Sequence, residues 1–454
     1  MDIKLNESYI IEITDIGHSG EGIGKIDGLA VFVEETVIGD KVNIEITTLK
    51  KNYAIGKVKE YLSFSPLRTK PHCDISDLCG GCQLQNMEYT EQLKIKKKLV
   101  VDSLERIGGL ADIKVHDCIG MDLPERYRNK AQFPVKEENG EIKIGFYQKK
   151  SHDIVQCDTC MIQHEINDKI IKEMKDIIKK YSIPVYDENT GKGLIRHIVT
   201  RTGTNSSEIM LILVTNGVHF PEKENIIREI KDRLPEVTTS VQNINTKRSN
   251  VILGDISKTL YGKGYITDSI GELKFEISPL SFYQVNPMQM EKLYNKALEY
   301  AGLKGNETVF DLYCGIGTIS LFLAHKSKKV IGVEIVQAAV EDARRNAEIN
   351  GIENAEFFAG KAEEVVPKLY KEGYKADVVV VDPPRKGCDE VLLDTIAKML
   401  PERIVYVSCN PSTLARDLKY LEAKGYQTIE VQPLDMFPMT THVECVTLMS
   451  RVEE

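Results

Sequence analysis

DLYCGIGTISLFLA, residues Asp311 to Ala324, decides how the last third of this chain is read. It continues an apolar run and passes into helical spacing, so its two glycines fall where a strand turns into a helix. Gly315 and Gly317 let the backbone turn tightly and approach a ligand with no side chain in the way. Alone, the pattern also admits a dinucleotide fold. Two features favour S-adenosylmethionine. The spacing is D-x-x-x-G-x-G rather than G-x-G-x-x-G, and Glu334 ends the next apolar run, VIGVE, where a carboxylate accepts hydrogen bonds from both ribose hydroxyls.

Working outward, TVFDLYCG, KVIGVE, AEFFAG, DVVVVDPP, RIVYVSCN, TIEVQPLD and ECVTLMS read as strands. Helical stretches such as QAAVEDARRNAEIN and CDEVLLDTIAKML separate several of them. The alternation predicts a doubly wound, Rossmann-like α/β sheet over 271–454, with its ligand crevice at the carboxyl ends of the strands. A third strand end there carries Asp382 in DPPRKG, where methyltransferases acting on nucleobases often place an acid or amide before prolines.

The next strand end, in YVSCNPSTLARD, carries Cys409. Pro411 suits the first position of a helix, so the thiol is expected to face a helix N-terminus and to have its pKa lowered. Buried cysteines are commonly core, the reading taken for Cys314, Cys388 and Cys445. For Cys409 the position favours a nucleophile. Beside a methyl donor, a thiol suits one reaction in particular. Uracil C5 is a poor nucleophile, and thiolate addition at C6 makes it an enolate carbon able to attack a sulfonium methyl. A base must then take the C5 proton. Glu444 in THVECVTL is the candidate, set against a plain surface carboxylate.

At 454 residues the chain suits roughly three domains at about 150 residues each. Residues 1–62 alternate apolar and polar residues between glycine turns, which suits four or five strands of a closed OB-type β-barrel or an all-β interaction module. Residues 63–270 read as a central α+β domain, with the helical stretch near 89–110 a candidate to pack on the catalytic domain. With 42% hydrophobic and 28% charged residues, the composition is that of a soluble globular protein. No apolar run spans a bilayer and MDIKLNESYI is not a secretory signal, so a cytoplasmic protein with no membrane partner is expected, and a monomer. Ten cysteines in that setting are metal ligands, reactive thiols or core. The net charge of −9 argues mildly against non-specific nucleic-acid binding but not against a local patch. Candidate patches are Lys50–Lys51, Lys94/Lys96/Lys97/Lys98 and Arg126/Arg128/Lys130.

FYQVNP, DLYCGIGTISL, GVE, DPPRKG, SCNPSTLARD and HVECV, in this order, resemble the RNA uracil-5-methyltransferase family, and more closely its iron–sulfur 23S rRNA branch. The resemblance covers nearly the whole chain and implies an N-terminal TRAM barrel. It implies that Gln284, Tyr313, Glu334 and Asp382 contact adenosylmethionine, with Cys409 as nucleophile and Glu444 as proton acceptor. Phe282 matches a position where an aromatic ring stacks on the target base. Cys73, Cys79, Cys82 and Cys160 match the ligands of a [4Fe–4S] cluster, with Cys157 a competitor for the fourth place. A four-cysteine zinc site fits the same set, while Cys118 has no part in it. The expected partner is 23S rRNA and the expected reaction C5 methylation of a uridine. The tRNA branch, expected to lack both barrel and cysteine cluster, is the nearest alternative. A non-catalytic RNA-binding assembly factor and a DNA cytosine-5 methyltransferase are the others. The first has no use for Cys409 and Glu444, and the second normally carries its nucleophile in a Pro-Cys motif.

Overall fold

The computed structural model describes residues 3–452, so the outermost residues of the first and last expected domains lie outside it. Among the described residues, no helix is long and apolar enough to cross a membrane.

The N-terminal strands form a six-stranded sheet in the order Ser8–Glu12, Lys41–Leu49, Tyr53–Ser63, Leu29–Val33, Gly22–Ile26, Asp15–Ile16. Its two edge strands are separated in sequence only by Ile13 and Thr14, so the sheet curls back to its start. The alternation in Lys41–Leu49 sends Val42, Ile44 and Ile46 into a core shared with Ile11, Val31, Val33 and Ala54. The sixth strand, Asp15–Ile16, is too short to announce itself by alternation.

The central unit is a seven-stranded sheet in the order Ile154–Gln156, Glu141–Tyr147, Lys130–Glu138, Ile195–Thr202, Ile209–Thr215, Thr239–Ile244, Ile256–Tyr261. The helix Ile166–Lys180 lays Ile170, Met174, Ile177 and Ile178 on it, a stripe at helical spacing. A hairpin, Ile266–Ile270 with Leu273–Ile277, leads on and packs its apolar side into the C-terminal core.

The C-terminal sheet has eight strands in the order Ala355–Ala359, Lys329–Glu334, Thr308–Leu312, Val378–Val381, Arg403–Ser408, Glu444–Arg451, Tyr426–Leu434, Lys114–Val115. The first five are parallel. Buried on both faces, they read as continuous apolar runs such as VVVV at Val378–Val381. Glu444–Arg451 runs antiparallel to both its neighbours, so its first residue lies at the edge where the parallel strands end. The strand order reverses between Thr308–Leu312 and Val378–Val381, and the ligand crevice of such sheets opens at that point.

The helix Tyr89–Ser103, extended by a wider turn over Leu104–Gly108 and ended by Gly109 in the left-handed conformation, packs against the helix Pro411–Glu422. With Lys114–Val115 it attaches a stretch from the first third of the chain to the C-terminal sheet. This placement corrects the basic patch expected at Lys94/Lys96/Lys97/Lys98. Lys96 is fully buried in an ion pair with Asp435, while Lys94 pairs with Glu91, Lys97 with Asp117, and Lys98 with Asp15 and Asp102. Charge counted along the chain missed these carboxylates because most lie far away in sequence.

Candidate active site

At the crevice, Tyr313 takes a positive φ of 68°, and its N–H and that of Cys314 donate to the Val333 carbonyl at 2.8 and 3.1 Å. Gly317, at φ 83°, is packed so closely that an added Cβ would meet the Cβ of Ala343 at 3.2 Å. Gly315 differs. Its φ is 55° and nothing lies within 4 Å of where its Cβ would be, leaving open space for a ligand against bare backbone. The Glu334 carboxylate accepts from the N–H groups of Gly315 and Val336 at 3.1 and 2.8 Å. Beside it Ile335 and Val336 stand exposed, an apolar shelf that the strand-end reading did not single out. Below, buried Asp311 accepts from the Ser320 hydroxyl at 2.5 Å, and its other oxygen has no partner among the described residues. Open glycine backbone, a strand-end carboxylate, an apolar shelf and an orphaned acceptor together fit a nucleoside bearing an amino acid, such as adenosylmethionine.

The register places the reactive groups. Ser408 pairs with Cys445 across the antiparallel strands, so Cys409 and Glu444, one residue beyond each, sit opposite one another at the crevice edge. Asp382 ends the adjacent strand, its N–H donating to Leu312 at 3.2 Å. Asn410 caps the helix after Cys409 by accepting from the Ser412 N–H, and its amide donates to the Arg385 carbonyl at 3.1 Å. Thr413 donates to the same carbonyl, which ties DPPR to the cysteine turn. Arg385 received no role from the sequence, yet it supplies the positive charge that faces Cys409 and Glu444.

Electrostatics here correct one expectation. The helix N-terminus does not leave Cys409 with a lowered pKa. Burial, then the charges of Glu444 and Asp382, push its thiol up to about 11, against the opposing pull of Arg385 and its own backbone N–H. Glu444, fully enclosed, is pushed up to about 8 by burial and by Asp382. Burial raises Asp382 to about 7. Three acids share this corner with one guanidinium, and the free site holds their protons more tightly than water would.

Phe282 is the exposed member of the loop before the helix Pro287–Ala301, with 67% of its surface accessible. The loop is anchored on both sides of it. Arg201 donates to the carbonyls of Pro279 and Ser281, and the Ser281 hydroxyl donates to Asp342 at 2.8 Å. The carbonyl of buried Gln284 accepts from Asn129 at 3.0 Å. Asn129 and Arg201 therefore hold the loop, though nothing in their local sequence marked them.

Cys73, Cys79, Cys82 and Cys160 are partly exposed and Cys157 is buried. A Cys160 thiolate would raise the pKa of each of the other three, so the four sulfurs share one region. Cys157 acts as a donor, giving its S–H to the Thr159 carbonyl at 3.3 Å and interacting with Cys160, which lowers the Cys160 thiol pKa. Cys118 is buried, and its thiol feels Asp435 and Lys96 rather than these sulfurs. Among the described residues, no three His, Cys, Asp or Glu side chains converge tightly enough to hold a metal ion. The donor set matches a cluster in kind alone: four thiols lie in one region without converging on a common point. This loop also touches the reactive corner: the N–H groups of Gln83 and Leu84 donate to the Met439 carbonyl at 2.9 and 3.0 Å, five residues before Glu444.

Comparison with known proteins agrees with this arrangement. A family model described as tRNA (Uracil-5-)-methyltransferase matches residues 88–452, and the TRAM domain matches residues 4–59. An "Uncharacterized RNA methyltransferase" of Bacillus cereus is 54% identical over 100% of this chain and 98% of its own length. One of Clostridium tetani is 51% identical over 99% of this chain and 97% of its own. The crystal structure of Pyrococcus abyssi tRNA (uracil-54, C5)-methyltransferase in complex with S-adenosyl-L-homocysteine superposes with a TM-score of 0.78 and 29% identity, covering 97% of this chain and 100% of that one. Such coverage leaves no room to omit the barrel, so the expectation that a tRNA enzyme of this kind lacks it is wrong, and the barrel does not separate rRNA from tRNA enzymes. With that discriminator gone and the family match extending over most of its length, the chain belongs to the RNA uracil-5-methyltransferase family, with a TRAM domain at its N-terminus.

Proposed function

We propose that the protein methylates C5 of a uridine in 23S rRNA. The observation that carries this reading is the opposition of Cys409 and Glu444 at the mouth of the crevice lined by Gly315, Glu334 and Asp382. Adenosylmethionine, when bound, would supply the electrophilic methyl group from its sulfonium and be left as the neutral thioether. Cys409, once its thiol proton has passed to solvent, bonds through Sγ to uracil C6, and the electron pair pushed onto C5 takes the methyl. Glu444 removes the C5 proton, the C6–S bond breaks, and Cys409 leaves as thiolate. Glu444 must be in its carboxylate form to take that proton, and with its pKa raised to about 8 that carboxylate is a stronger base than an ordinary glutamate. Arg385 offsets the charge that develops on sulfur and carboxylate. Phe282 stacks on the base once it has left its helix, while Gln284, Tyr313, Glu334 and Asp382 hold the methyl donor.

Cys73, Cys79, Cys82 and Cys160 would hold a [4Fe–4S] cluster, with Cys157 as a hydrogen-bonding neighbour. The methylation needs no electron. The role assigned to the cluster is to fix the loop that meets Met439, within a monomeric protein acting in the cytoplasm. A second reading, methylation of tRNA, is favoured by two observations: the family model matching residues 88–452 is described as tRNA (Uracil-5-)-methyltransferase, and a solved protein covering 97% of this chain is described as a tRNA enzyme. Mapping 5-methyluridine in rRNA and tRNA from a deletion strain decides. Loss of the mark from 23S rRNA alone supports the proposal, and loss from tRNA alone replaces it.

A further inference from the structure

The start of the strand Lys130–Glu138 holds an unbalanced group of cations. Lys130 and Arg201 are paired directly across antiparallel strands, so their side chains emerge on one face of the sheet, an arrangement that destabilises like charges. Arg128 lies two residues before Lys130, and its charge and that of Arg201 both act on the Lys130 ammonium, with no carboxylate opposing them there. Burial and these two neighbours bring Lys130 down to about 7. Asp342 offsets Arg201 in part, and Arg201 donates through Nη2 to the carbonyls of Pro279 and Ser281, while its Nε has no partner among the described residues. Arg128 lies with its guanidinium 6.0 Å from the Phe437 ring, its Nε without a partner. Among the described residues neither Lys130 nor Arg128 has an ion-pair partner, whereas Arg126 of the same run is taken by Asp168.

The position of this group is informative. Asn129, between the two cations, bonds through its N–H to Val285 and through its amide to Gln284, and Arg201 clasps the residue before Phe282. The unpaired cations therefore border the loop that presents the exposed aromatic ring. A protein maintains such repulsion where a ligand of opposite charge relieves it, as violations of local rules cluster at functional sites.

We propose that Lys130 and Arg128 bind a backbone phosphodiester of the RNA strand beside the nucleotide that Phe282 receives. The proposal rests on the RNA-methylating reading above and extends it to a specific contact. A phosphodiester here, with its single negative charge, bridges the two cations and relieves their repulsion, and its capture carries no base information, so it positions the strand without choosing its sequence.

The test measures binding of unmethylated rRNA, purified from a deletion strain, to the full-length protein and to Lys130→Gln and Lys130→Arg across a salt series. The expected result is weaker binding of every RNA sequence by Lys130→Gln and a slope of log affinity against log salt reduced by about one. Lys130→Arg restores the slope. Adenosylmethionine affinity is unchanged, and thermal stability of Lys130→Gln rises because a repulsion has been removed. An unchanged slope and affinity in Lys130→Gln, while the wild type binds and methylates the RNA, overturns this contact and leaves the methyltransferase reading standing. A wild type that neither binds nor methylates rRNA or tRNA overturns both.

Discussion

The Lys96 ammonium and the Asp435 carboxylate form an ion pair with neither side chain exposed to solvent. Lys96 also donates to the Phe437 carbonyl at 3.0 Å, and Gln92, one turn earlier on the same helix, accepts from the Met439 N–H at 3.1 Å. One helix thus grips the chain segment leading to Glu444 at three successive points. Removing one member of a buried pair leaves the other charge uncompensated, at a cost of about 3–5 kcal/mol. Lys96→Met is expected to lose stability on that scale in denaturant unfolding, whereas Lys96→Met with Asp435→Leu recovers much of it. Equal stability of the two variants would mean that the pair contributes no more than its packing.

Cys409→Ala is expected to abolish methyl transfer while leaving adenosylmethionine binding by calorimetry largely intact. The sulfur is needed to activate uracil C5, and the donor contacts lie on other strands. Normal turnover in this variant removes the nucleophile role.

The parts of this molecule that were legible in the sequence are those in which local chemistry repeats or stands at a strand end. The buried run at Val378–Val381 and the glycine turn at Gly315 announce a parallel sheet and its crevice from a dozen residues each. That Cys409 faces Glu444 required the antiparallel insertion of the last strand, a long-range pairing that alternation within either strand does not reveal. The thiol's raised pKa was hidden for the same reason. The helix N-terminus next to Cys409 is local and visible, while the carboxylates that outweigh it come from Glu444 and Asp382. Lys96 reads as surface charge beside Lys97 and Lys98, since its partner lies far along the chain at Asp435.

Three buried carboxyls make a contribution of one sign to the pH dependence of stability. Asp311 and Asp382 are raised to about 7 and Glu444 to about 8, above the ordinary carboxylate values they regain on unfolding. Between roughly pH 4.5 and 8 these three carboxyls bind more protons in the folded protein than in the unfolded chain, so their contribution falls as pH rises. Buried His197 and half-buried His442, lowered to about 4, and Lys130, lowered to about 7, contribute in the opposite sense. The difference in melting temperature between the ligand-free wild type and Glu444→Gln is expected to shift against the wild type from pH 5 to pH 8. A constant difference would assign the titration to other groups.

Glu444→Gln separates the two halves of the reaction. Methyl transfer needs only the Cys409 adduct, whereas release needs the C5 proton to leave, and an amide cannot take it. The variant is expected to accumulate a covalent protein–RNA species, visible as a nuclease-sensitive band of reduced mobility in a denaturing gel. The trapped nucleotide should already carry the labelled methyl group. Cys409→Ala in the same background should remove the band. Since Glu444 also raises the thiol pKa, the single variant should alkylate faster at Cys409 than the wild type at a given pH. Sustained turnover with no adduct would assign proton removal to another base, with Asp382, which already shares this corner, the next to substitute.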